Sequence, residues 1–228
     1  MKIPNSTEIK KNNPFFYINV NLIRNVLFFS GGIFLFIAGV IIYGVILNLR
    51  EVPLRKAMQE KGIVKITDPN IVVDRQTYSL MLYQDTVLVK TYRANFGRNV
   101  NNPKTKAGDL STPVGSYKIC EIDTINMYYK FFEINYPNNS DAANALRKGI
   151  ITQAQFDTLK YDNDNGICPN PDTPLGGKMG IHGIGRLNSI FRFLPFNYNW
   201  TDGSVAISNE GIDELYSVIK KGTNVVIK

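Results

Sequence analysis

Residues 26–47 (VLFFSGGIFLFIAGVIIYGVIL) run for 22 positions without a charge. As a helix rising 1.5 Å per residue, the stretch would reach about 33 Å, against roughly 30 Å of bilayer hydrocarbon. Phe, Leu and Ile occupy every face, so no polar stripe is left for a soluble core helix to turn toward water. A cleaved signal peptide has a shorter apolar region and a small-residue cleavage site, and the NLREVPLRK that follows offers none. The stretch reads as a retained transmembrane helix behind a short polar tail, residues 1–25. Its flanks vote weakly on orientation. Lys10, Lys11 and Arg24 precede it, whereas Arg50, Arg55, Lys56, Lys61 and Lys65 follow. Counted literally, these charges place the large domain in the cytoplasm, but long domains translocate largely regardless of charge.

The remainder contains a folded domain, expected over 63–228 after a linker or short helix at 48–62. Alternating apolar and polar residues mark strands at 71–73, 78–83 and 87–92, with Gln84-Asp85 as a hairpin turn. Further strands are expected at 117–122, 131–136, 203–208 and 224–227. Two short helical stretches flank Gly149 within 141–159, and a helix runs over 210–220 with Ser208 as its N-cap. The pattern is mainly β with short helices, a sandwich or partly open barrel. The 26 Lys and Arg against 19 Asp and Glu form an ordinary mixed surface, without the basic run or interleaved aromatics that nucleic acid would call for. Two cysteines, Cys120 and Cys168, exclude a disulfide-stapled miniprotein and a multi-cysteine zinc module. Asp162, Asp164 and Gly166 miss the spacing of a calcium loop and read as a solvated turn.

The chain has one histidine, His182, in GGKMGIHGIG, so any imidazole chemistry must use it. Its surroundings carry a wider pattern. IVVDRQTYSLMLYQDTVLVKTYRANFG, KTKAGDLSTPVGSYKI, FFEINYPNNSDAANALRKG, PLGGKMGIHGIG and WTDGSVAISNEGIDELY follow one another between residues 71 and 227. In that order they resemble the blocks of the L,D-transpeptidase catalytic domain, also called YkuD-like. The resemblance implies that family's β-sandwich or partly open barrel. It also implies a site in which His182 is the base and the residue after Gly203 the nucleophile, supported by the backbone at Gly183 and Gly203.

Position 204 departs from the family. Where it has a nucleophilic cysteine this chain has Ser204, with Ala206 two residues on and Asp202 where many members have a second histidine. A thiol of pKa about 8.5 is readily ionised by a nearby histidine, whereas a serine hydroxyl must lose its proton as it attacks. Ser204 therefore needs an oriented base, with the second ring nitrogen of His182 held by a backbone carbonyl or a carboxylate. Asp202 is one candidate for that carboxylate and equally a solvent-facing acid. Cys168 lies in a turn-rich loop that the resemblance brings near the cleft, where it would be a substitute thiol. A Cys120–Cys168 disulfide is allowed but not required.

The apolar span makes the chain a single-pass protein of the cytoplasmic membrane, and the resemblance implies that its domain lies in the periplasm or extracytoplasmic space. It would act by acyl transfer on the tetrapeptide stems of peptidoglycan, a reaction of wall construction and cell shape. Ser204 would attack, His182 would serve as base and then acid, and no metal or organic cofactor is implied. Other readings stay open. One is an inactive relative that binds wall peptides, another an active enzyme whose cysteine has been replaced by design, and a third a cytoplasmic interaction domain on an inward-facing anchor.

Overall fold

The computed structural model describes residues 20–49 and 51–228. Helix α1 (Val20–Leu49) is continuous, and its span Val20–Leu47 has a mean hydropathy of 2.4 with none of its most apolar window buried against protein. The polar tail expected over 1–25 lies outside the described residues up to position 19. Its last six residues are helical and belong to α1, because nothing in VNLIRN breaks a helix.

The stretch expected as linker is partly structural. Helix α2 (Leu54–Glu60) buries Leu54 and Ala57, and the Leu54 N–H donates to Glu214 Oε1 at 2.8 Å. Three antiparallel strands follow, β1 (Pro69–Asp74), β2 (Ser79–Gln84) and β3 (Val87–Arg93), with Ile71 opposite Leu82 and Leu80 opposite Tyr92. Then come β4 (Gly115–Asn126), β5 (Tyr129–Ile134), α3 (Asn139–Arg147), α4 (Gln153–Asp164) and β6 (Gly180–Gly183). A 3-10 turn at Gly185–Leu187, α5 (Asn188–Phe191), β7 (Val205–Ile207), α6 (Asn209–Tyr216) and β8 (Asn224–Ile227) complete the chain.

All eight strands form one mixed sheet in the order β3-β2-β1-β8-β4-β5-β6-β7. The first part of β4 pairs with β8 and the rest with β5, so the sheet bends about that strand. Beyond β3, Asn95 bridges Ala206 of β7 through two hydrogen bonds of 2.8 Å, bringing the two edges together as a partly closed barrel. Inward-facing Leu80, Leu82, Ile119, Phe132, Ile181, Ile207 and Ile227 fill it, and Ile212 and Leu215 of α6 pack against them. Ser208 caps α6 by accepting from the Gly211 N–H.

Helices α3 and α4 enclose a second small core of Ala142, Ala145, Ile151, Leu159 and Leu175. Asn138 and Thr152 start them with reciprocal capping boxes. Helix α4 runs past the expected end to Asp164. Asp162 and Asp164 are therefore helical rather than loop residues, and Asp164 binds Lys160 and Asn139. Beyond α4, Cys168 forms a disulfide with Cys120 of β4.

Candidate active site

Strand β6 places His182 between β5 and β7, opposite Phe131 on one side and Ala206 on the other. The ring is 2 % exposed. Its Nδ1 lies 2.7 Å from the Gly183 carbonyl oxygen, and because that oxygen only accepts, Nδ1 carries the proton and leaves the Nε2 lone pair free. Burial lowers the imidazole pKa to about 4 against the opposing pull of the Gly183 bond, so the ring is neutral at pH 7. Aromatic walls explain the desolvation: ring centroids of Tyr128, Trp200 and Phe131 lie 4.7, 5.7 and 6.1 Å from the imidazole.

Ser204 stands immediately before β7, in a turn tied by Thr201. Thr201 Oγ1 donates to the Ser204 carbonyl at 2.6 Å and accepts from the Gly203 N–H at 3.2 Å. Gly203 has φ +131°, and a Cβ there would lie 2.7 Å from the Ser111 carbonyl oxygen, so both conformation and space demand glycine. Ile181 is opposite Val205, which sets Gly180 beside Ser204. With side chains alternating along each strand, His182 and Ser204 fall on the same face as diagonal neighbours. Ser204 Oγ accepts from the Gly180 N–H at 3.2 Å. Among the described residues no hydrogen bond joins it to His182.

Both side chains open on one cavity of about 420 Å³. Met179, Tyr128 and Trp200 form apolar walls, and Asp123, Glu133 and Lys178 supply charge. The buried Trp200 Nε1–H has no partner among the described residues and is a donor available to a ligand. Burial raises the Glu133 carboxyl despite Lys178, whereas Asn126 and the Ile125 N–H hold Asp123 low.

The sequence-derived candidates now have definite places. Asp202 is largely exposed and pairs with Arg98, so the group that orients His182 is the Gly183 carbonyl. Gly183 thus contributes an acceptor to the ring, while the Gly203 N–H is engaged by Thr201. Cys168 cannot replace the missing thiol, because its sulfur is bonded to that of Cys120. The same bond consumes both sulfurs of the Cys120, Cys168 and Glu133 cluster, whose spacing otherwise suits a metal ion. Trp200 and Thr201 had a signal, since they begin the WTDG block. Tyr128 had none: it sits in the β4–β5 turn, just outside the FFEINYPNNSDAANALRKG block and in no motif itself.

A family model described as the L,D-transpeptidase catalytic domain (YkuD) matches residues 68–227. No curated protein matches the sequence significantly. Among solved structures, an L,D-transpeptidase from Xylanimonas cellulosilytica is 14% identical, with 78% of this chain and 70% of that one covered and a TM-score of 0.42. The helical cell shape determining protein Pgp2 of Campylobacter jejuni is 18% identical, with coverages of 77% and 54% and a TM-score of 0.46. A cysteine-to-serine mutant of the Enterococcus faecium L,D-transpeptidase is 14% identical, with coverages of 72% and 50% and a TM-score of 0.39. This chain thus spans about half the length of the last two. Because the family model runs through every strand and all three segments that line the cavity, the chain belongs to the family of L,D-transpeptidase catalytic domains.

Proposed function

We propose that this protein is a membrane-anchored, L,D-transpeptidase-type acyltransferase acting on the tetrapeptide stems of peptidoglycan, with Ser204 as nucleophile and His182 as base. The observation that carries the reading is the shared cavity, onto which Ser204 opens beside a neutral imidazole held with its Nε2 lone pair free. Ser204 Oγ would attack the carbonyl carbon of the L,D-centred peptide bond while its proton passes to His182 Nε2. With the Gly203 amide engaged by Thr201, the Ser204 N–H is the donor assigned to the oxyanion. Collapse breaks the C–N bond, and the imidazolium returns its proton to the departing D-Ala amine. An acceptor amine or water then attacks the resulting ester, with His182 again as base.

Helix α1 suits a single-pass anchor, and the domain would begin not at 63, as the sequence suggests, but with α2, whose Leu54 packs into the core. The substrate places that domain on the outer side of the cytoplasmic membrane, and protease accessibility of the domain in spheroplasts tests this. A second reading has one observation in its favour: Ser204 Oγ is bonded to the Gly180 N–H and not to His182, as in a site that binds stems without turnover. Intact-protein mass spectrometry after incubation with a disaccharide tetrapeptide separates the two. An acyl adduct on the natural serine, absent in His182→Ala, supports catalysis. An adduct on Ser204→Cys alone refutes serine catalysis and leaves a binding role.

A further inference from the structure

We propose that segment 186–198 is a membrane-docking surface, seated among anionic lipid headgroups beside α1. The inference rests on the anchored reading above and adds to it where the domain sits. RLNSIFRFLPFNY contains no acid; its Arg186 is exposed, its Arg192 pairs with Glu210 of α6, and it exposes Leu187, Ile190, Phe196 and Tyr198 by 52–60% each. Four large apolar side chains facing water beside the exposed Arg186 have the composition of an interfacial segment.

The chain itself fixes what covers them. Only residues 50–53 separate the end of α1 at Leu49 from Leu54, which is buried in the core and bonded to Glu214. Five residue steps span at most about 18 Å, so the domain cannot lift away from the bilayer while that packing holds. The exit face and the segment are adjacent. Glu51 lines a small pocket with Tyr92, Arg93, Phe191 and Arg192, and the Arg93 guanidinium donates to the Phe196 carbonyl and to Asn197 Oδ1. Within α1, Gly44 lies so close to Phe193 that a Cβ would meet the Phe193 carbonyl oxygen at 1.6 Å. Gly44 stands three residues before the end of the span at Leu47, about 5 Å along a helix axis. That level matches the roughly 5–10 Å to which interfacial segments sink. Exposed Arg55 and Lys56 at the start of α2 add positive charge near the same exit, complementing anionic headgroups.

The test uses the full chain reconstituted in phosphatidylcholine and phosphatidylglycerol vesicles, with and without brominated acyl chains that quench tryptophan. Phe196→Trp is compared with wild type and with Tyr161→Trp, an exposed site on α4 outside the segment. The fluorescence added by Phe196→Trp should fall about two-fold or more in brominated vesicles, and that added by Tyr161→Trp should not, as expected for shallow insertion. Equal quenching of the two, or shielding of Phe196→Trp that follows protein concentration in detergent, would overturn the proposal, the latter assigning the face to a second copy. Alkaline carbonate extraction separates the two levels of the argument. Release of the chain defeats the anchor itself, whereas a retained chain with unquenched Phe196→Trp defeats only the docking.

Discussion

Protonation of His182 should be costly, and the single tryptophan reports it. The imidazole is held near pKa 4 by burial, against about 6.5 for an unfolded chain. Because the folded value is the lower one, the neutral ring contributes its full stabilisation above the unfolded pKa and loses it as pH falls toward the folded value. Between pH 7 and pH 5 the loss attributable to this group is about 2 kcal/mol, rising to about 3 near pH 4. Half-buried Glu133 and Asp141, both raised by desolvation, contribute in the opposite sense, so the useful quantity is the difference between wild type and His182→Gln. Urea unfolding at the two pH values should give a wild-type loss about 2 kcal/mol greater than that of the variant. Trp200 lies edge-on to the imidazole at 5.7 Å, so its fluorescence in the native protein should be quenched as the ring protonates, with a midpoint near 4. A midpoint near 6.5 together with equal pH slopes would refute the claim that the aromatic walls desolvate His182.

Three perturbations test the frame around the site. Gly203→Ala forces a Cβ against the Ser111 carbonyl at a φ of +131°, and should lower stability by roughly 1–3 kcal/mol and abolish acyl-adduct formation, read by thermal melting and mass spectrometry. Cys120→Ser with Cys168→Ser removes a bond between positions 48 apart; denaturant unfolding should register a loss of about 2–4 kcal/mol, and an unchanged midpoint would contradict the crosslink. Asp109→Asn leaves the buried Lys104 ammonium without its 2.8 Å counterion and weakens the carboxylate's bonds from the Thr105 and Lys106 amides. A destabilisation of about 3 kcal/mol is expected in urea, and one under 1 kcal/mol would mean that the pair is hydrated.

The sheet was legible where alternation coincides with burial on one face. Leu80 and Leu82 point inward with Met81 between them, so β2 could be read at once. Strand β4 was read at 117–122 but extends to Asn126, because its far end leaves the barrel to wall the cavity and its residues no longer alternate between core and water. The end of α4 was read as a turn from its Asn and Asp content. There, Asn163 binds the Leu159 and Pro137 carbonyls and Asn135, contacts that recruit a poor helix former into the last turn. His182 and Ser204 were visible because chain order and glycine spacing mark them. The ring's partner was not, since choosing the Gly183 carbonyl over Asp202 depends on a rotamer and on Arg98, which lies 104 positions from Asp202.

On the proposed reading, the serine alters what this histidine would have to do. A cysteine site can draw on a thiolate–imidazolium pair, which requires the ring to hold a proton at rest. Here burial opposes that protonated state, and the Gly183 carbonyl compensates only in part. A serine site needs the reverse resting state, a neutral ring with an available Nε2 that accepts the proton only as the hydroxyl attacks. The neutral state of His182 is compatible with the serine at position 204, whose hydroxyl accepts from the Gly180 N–H and has no hydrogen bond to His182 among the described residues. On the proposed reading, the Ser204 hydroxyl can keep accepting from the Gly180 N–H while its own proton turns toward His182 Nε2, so a bound stem would have only to align the two.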